Sequence, residues 1–188
     1  MKKIFVYLII GLLALGAAGA SKAEDSTSAF PKLKPPVLLT SLGQAADVHT
    51  MSVLAKRAKA AVDYKTLATP EDAAEAKTII VNVGVSLKGF GSAGVNLDTE
   101  TVRAKAIFKT AKEHGIPVIL THIGGEERRD DMSNLLLKVA MPLADAYIVY
   151  DGGNKDGYFT KAAGDKPIIL LDKTMEMIEV LSKLSPDS

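Results

Sequence analysis

The chain has 188 residues, with 23 basic and 22 acidic side chains and no Cys. A formal charge of +1 leaves no electrostatic case for a nucleic-acid partner, and the absence of Cys excludes a disulfide framework and thiolate chemistry. The length suffices for one ordinary domain whose core alone must hold the fold.

Lys2 and Lys3 precede an almost wholly apolar run from Ile4 to Ala20, followed by Ser21-Lys22-Ala23. A basic start, an apolar stretch and small residues before a cut are the pattern of a secretory signal, expected here over residues 1–23. The apolar run is short for a spanning helix. Its removal leaves 20 basic against 22 acidic residues, and an exported chain, periplasmic or extracellular, with no membrane attachment after cleavage. The polar, Pro-spaced stretch "EDSTSAFPKLKPP" reads as a tether over residues 24–35, leaving one domain over residues 36–185. The pattern sets no oligomeric state.

Within that domain strands and helices alternate. Pro36–Ser41 reads as a buried strand, Gln44–Ala60 as a helix by its apolar spacing, and Val62–Lys65 as a weak strand. "ATPEDAAEA" opens a helix with Thr69 as cap and Pro70 in the first turn. Lys77–Gly84 is a strong strand. Leu97–Gly115 is a helix expected to be capped by Asp98 and stopped by Gly115. The strand "IPVILTHIG", a helix ending near Pro142, the strand "DAYIVYDGG", a short helix in "KDGYFTKAAG", the strand "KPIILLD" and the closing helix "KTMEMIEVLSKL" complete the chain.

Ile79-Ile80-Val81, Val118-Ile119-Leu120 and Ile168-Ile169-Leu170-Leu171 are apolar without alternation, as in strands covered on both faces of a parallel sheet. The expected fold is therefore α/β, a three-layer doubly wound sandwich, flavodoxin-like or Rossmann-like.

The helix-to-strand returns are terse. The strand-to-helix connections "TSLGQAAD", "GVSLKGFGSAGVNLD", "HIGGEERRDD" and "YDGGNKDG" are long, polar and rich in glycine. Ligands of doubly wound folds sit at that edge of the sheet, and glycine backbone near helix N-termini favours anionic groups. A small polar or anionic ligand is expected there. Its contacts would be Ser41, Gln44, Gly84, Lys88, Gly89, His122, Gly124, Gly125, Arg128, Asn154 and Lys155. One arginine of the Arg128-Arg129 pair would turn inward as a planar clamp, and Arg128 is the candidate.

Gly89, Gly91 and Gly94 form a literal G-x-G-x-x-G, but it neither follows the first strand nor opens a helix at once, as a dinucleotide fingerprint must. The stretch reads instead as a glycine-rich lid or cradle in a connection of roughly 14 residues, long against the usual two to six. No cofactor is expected. Scattered histidines argue against a metal site. A rival reading is a hydrolase with His122 as base, Ser86 or water as nucleophile, and Asp47 or Asp151 as orienting carboxylate. A third is a protein partner meeting these loops over an exposed apolar patch around Phe90 and Val95.

The stretches "PVLLTSLGQAADV", "VGVSLKGFGSAGVNLDTE", "LTHIGGEERR" and "DGGNKDGYFT" resemble a family of secreted bacterial proteins defined as a domain of unknown function. The resemblance covers Pro36 to Leu184, and implies a signal peptide before one α/β domain. Leu87 stands where that family has small polar residues, so the surface of this loop is less polar here. The resemblance brings no activity, cofactor or catalytic residue.

Overall fold

The computed structural model describes residues 27–186; the expected signal peptide and the first residues of the expected tether lie outside them. Six strands form one parallel sheet: β1 (Val37–Leu42), β2 (Val62–Tyr64), β3 (Thr78–Val83), β4 (Val118–His122), β5 (Ala146–Tyr150) and β6 (Ile168–Leu171), in the order β2-β1-β3-β4-β5-β6. β1 and β3 are buried at every position, which is why their sequences do not alternate.

Among the described residues seven α-helices cover the sheet: α1 (Asp47–Arg57), α2 (Pro70–Glu75), α3 (Leu87–Ala93), α4 (Leu97–Glu113), α5 (Asp131–Ala140), α6 (Tyr158–Ala163) and α7 (Met177–Leu184). On one face, Leu38, Val81, Val83, Leu120 and Val149 pack against Phe90 of α3, Ile107 and Phe108 of α4, Leu136 of α5 and Phe159 of α6. On the other, Val37, Leu39, Ile80, Ile119 and Ile148 pack against Met51 and Leu54 of α1 and Met177 and Leu181 of α7. The result is the three-layer doubly wound fold. No helix of the described residues is long and apolar enough to cross a membrane.

The sequence expectations need four corrections. The stretch Leu87–Ala93, expected as a loop or lid, is helix α3. The Ser86 hydroxyl accepts from the Gly89 N–H, and Gly94 closes the helix in the left-handed conformation at φ 66°. The cap of α4 is Asn96, whose side chain accepts from Thr99 N while Thr99 Oγ1 accepts from Asn96 N; Asp98 lies two residues further on, inside the first turn. α1 begins at Asp47 because Gln44 takes a left-handed φ of 58°. Part of the expected tether is core, since Phe30 and Leu33 are buried against the α1–α7 face, Leu33 N donates to Leu184 O and Lys34 N to Thr78 Oγ1.

Other expectations match. Thr69 caps α2 in a reciprocal capping box with Pro70 at its start, and Gly115 ends α4 at φ 62°. His114, at the C-cap of α4, has its Nδ1 2.9 Å from Thr110 O.

Candidate functional site

In this strand order the crossover direction reverses between β1 and β3, and a crevice between the loops leaving those strands is the usual ligand seat. Here the chain's own backbone fills it. Gln44 and Val85 form an antiparallel bridge, Ala45 N donates to Gly84 O and Ser86 N to Gly43 O. α3 lies so close that a Cβ on Gly89 would stand 2.1 Å from Gln44 O, and one on Gly43 would stand 2.3 Å from Gly84 O. Glycine at 89 thus serves close packing of protein on protein.

Glu100 anchors the same loop from α4. Its fully buried carboxylate accepts from Gly43 N at 2.7 Å, from Gln44 Nε2 at 3.3 Å and from Arg103 Nε and Nη2 at 2.8 Å each. Arg103 also donates to Ser41 O and Ala68 O. Burial alone would raise the Glu100 pKa; the Arg103 pairing and the Gly43 N–H outweigh it and hold the group below its ordinary value.

Ser41, Asn82 and Thr121 stand in register across β1, β3 and β4, on the α1 face. Thr121 Oγ1 donates to Asn82 Oδ1 at 3.1 Å, while Ser41 Oγ and Asn82 Nδ2 have no hydrogen-bond partner among the described residues. His122 points to the opposite face and is 0% exposed. Its Nδ1 lies 2.8 Å from Val83 O, and because a carbonyl only accepts, Nδ1 carries the proton. Nε2 is then a buried acceptor with no hydrogen-bond partner among the described residues. The ring stacks on Phe159 at 5.1 Å. Burial lowers the His122 pKa, opposed by the Val83 carbonyl and the charge of Asp47 and assisted by Arg129.

Two cavities open at the edge where the strands end. One, of about 390 Å³, lies between Gln44, Val48, His49, Thr66, Gly89 and Ser92. The other, of about 340 Å³, is lined by Glu126, Arg129, Asn134, Gly153, Lys155 and Asp156, from the connections after β4 and β5. Arg129 organises it. Its side chain is 10% exposed, its guanidinium carbon sits 4.2 Å above the Tyr158 ring, and Nε and Nη1 each donate at 2.8 Å, to Asn134 Oδ1 and Gly153 O. The remaining edge of the fork faces Asp156, with Nη1 to Oδ1 at 3.3 Å and Nη2 to Oδ2 at 3.2 Å. The Asp156 side chain is 61% exposed. Arg129 and the Tyr158 N–H hold its carboxyl below the usual range.

Against the expected contacts, the arrangement divides. Gln44 and Gly89 line the first cavity and Lys155 the second. Lys155 also pairs with Asp151. Asn154 is buried and holds the start of α6 through Phe159 N and Thr160 N. Ser41, Gly84, His122, Gly124 and Gly125 are buried. Lys88 is exposed on α3 and lines neither of these two cavities. The inward arginine is Arg129 rather than Arg128, whose exposed side chain lies over Gly124: the turn Glu126–Arg128 sends consecutive side chains in different directions. Of the rival catalytic set, Ser86 Oγ is engaged as the α3 cap, and the Asp47 carboxylate lies beside Gly124, 3.1 Å from where its Cβ would stand. The apolar patch expected at Phe90 and Val95 is not on the surface. Phe90 is buried and Val95 packs against the core, and Leu87 is the exposed apolar residue of α3, at 71%.

Sequence reasoning missed Glu100 and Arg103, which lie three apart on one helix face, a signal that marks a pair but not its burial; from the Arg128-Arg129 pair it favoured the other member. A family model described as a domain of unknown function, DUF6305, matches residues 34–185, and the chain belongs to that family. No curated protein matches the chain.

Proposed function

We propose that this member of the DUF6305 family is an exported binding domain that holds a small anionic or polar molecule at the C-terminal edge of its sheet, in the cavity around Arg129. The observation that carries the reading is the state of the Arg129 fork. Three sides of the guanidinium are fixed by Asn134, Gly153 and Tyr158, while the open side holds only an exposed carboxylate. A planar cation fixed in this way binds carboxylates and phosphates in two-point fashion, with little ordering cost left to meet on binding. Export is supported by the signal-like pattern of residues 1–23.

Binding without catalysis is favoured by the positions of the candidate groups. His122 is enclosed and Ser86 is occupied as a helix cap, so neither is set to reach a substrate.

Thermal unfolding of residues 24–188 in the presence of small carboxylates, phosphates, nucleotides and sugars tests the proposal. A compound binding only the folded state at 100 times its Kd adds about 2.7 kcal/mol, a shift of several degrees. The expected outcome is a concentration-dependent shift with an anion, abolished in Arg129→Ala, whose own fold is confirmed by circular dichroism. A shift that persists in Arg129→Ala would move the site elsewhere. A silent panel would favour a protein partner.

A further inference from the structure

We infer that the molecule held at Arg129 is a small zwitterion, carrying a carboxylate for the guanidinium and an ammonium group for Glu126 and Asp156. The inference rests on the preceding reading of the Arg129 cavity as a ligand site and adds the chemical class.

The seat itself specifies a carboxylate. Asp156 already presents one to the fork, two oxygens against two nitrogens at 3.2 and 3.3 Å. That geometry is planar and bidentate, which a carboxylate matches atom for atom. Asp156 is free to yield its place. It is mostly exposed, and it has a second hydrogen bond, from Tyr158 N to Oδ1 at 3.0 Å. It therefore stands in for the ligand's carboxylate.

The charges around the cavity specify the other group. Arg129 and Lys155 line the cavity with Glu126 and Asp156, and Lys155 is already paired with Asp151, so two cations stand against three anions. A simple anion entering at Arg129 would leave four negative groups against two positive ones, and the like charges would repel. A dianion such as phosphate would be worse. A ligand that brings its own cation adds no net charge and gives an ammonium partner to Asp156 and to Glu126, which is in no ion pair among the described residues. The volume of about 340 Å³ lies at the small end of ligand cavities. It suits a free amino acid or a very short peptide.

The test is titration calorimetry on residues 24–188 with L-leucine, L-glutamate, L-lysine and glycyl-leucine. 4-Methylpentanoate is the comparison lacking the amine, isopentylamine the one lacking the carboxylate, and inorganic phosphate the non-planar anion. At least one zwitterion is expected to bind, with the amine-free and carboxylate-free analogues weaker by roughly tenfold or more, the value of one charge-assisted contact. Free amino acid and peptide are separated by leucine against glycyl-leucine. Glu126→Gln should weaken the zwitterion without weakening 4-methylpentanoate, from which it removes a repelling charge. Arg129→Lys, which keeps the charge and loses the fork, should weaken both. Asp156→Asn should tighten 4-methylpentanoate by removing its competitor. If 4-methylpentanoate or phosphate binds as well as the zwitterions, with the Arg129 dependence intact, the zwitterion inference falls and the anion site stands. If no zwitterion, carboxylate or phosphate binds the folded protein, both fall.

Discussion

Gly89 and Gly91 sit two positions apart on α3 and meet opposite surroundings. A methyl at 89 would run into the Gln44 carbonyl oxygen, whereas one at 91 would meet nothing within 4 Å. Gly89→Ala must therefore push α3 off the β1–α1 loop, at about 1–3 kcal/mol. Gly91→Ala should stabilise by about 0.5–1 kcal/mol, the helix-interior preference for alanine. Urea unfolding of the two variants reads both signs, and equal effects would contradict the packing described. His122 gives a pH dependence whose sign follows from its depressed pKa. A buried neutral imidazole binds its proton less readily than it does in the unfolded chain. Its stabilising contribution is complete above the ordinary value of 6.5 and declines as pH falls below it towards the folded-state value. Subtracting the unfolding free energy of His122→Gln from that of the wild type should give a difference that falls with acidification from pH 6.5; a flat difference would mean that the imidazole is not depressed. The importance of these two residues could not be read locally. The Gln44 carbonyl lies 45 positions before Gly89, and the burial of His122 comes from α6.

Among the elements, the buried strands were legible because continuous Ile, Val and Leu runs fit little besides a sheet covered on both faces. α3 was not legible. Its seven residues include two glycines, each costing about 1 kcal/mol against helix, and its apolar content is sparse. Its formation rests on the Ser86 cap, the burial of Phe90 and the left-handed Gly94, and only the last has a strong sequence signature. Ser86→Ala should therefore cost about 1 kcal/mol as a lost N-cap in urea unfolding, while leaving any ligand titration at Arg129 unchanged. Loss of a measured activity with stability intact would instead revive Ser86 as a nucleophile. The candidate site was legible to the level of the edge and of an inward arginine. Which of two neighbouring arginines turns inward is fixed by the backbone turn and by Tyr158, which the local sequence does not reveal.

For the molecule as a whole, strand order β2-β1-β3-β4-β5-β6 follows from connections that no local pattern encodes, and sequence left flavodoxin-like and Rossmann-like orders open. The same limit hid the role of the segment before β1. Phe30 and Leu33 carry no period, yet both join the α1–α7 core. Leu33→Ala should cost about 2–5 kcal/mol, as for a core leucine, in thermal or urea unfolding; a change within about 0.5 kcal/mol, the surface expectation, would make the segment a true tether. The bond from Leu33 N to Leu184 O and that from Lys32 Nζ to Lys183 O bring the first and last described segments side by side below the start of β1. The Arg129 cavity opens at the other end of the strands, roughly 20 Å away for a six-residue strand. Attachment through either of these two segments, to a bead, a reporter or a sensor chip, would therefore present the cavity outward to the solution. Their adjacency also makes residues 27–186 a candidate for circular permutation, with the two segments joined and new ends opened far from the Arg129 fork.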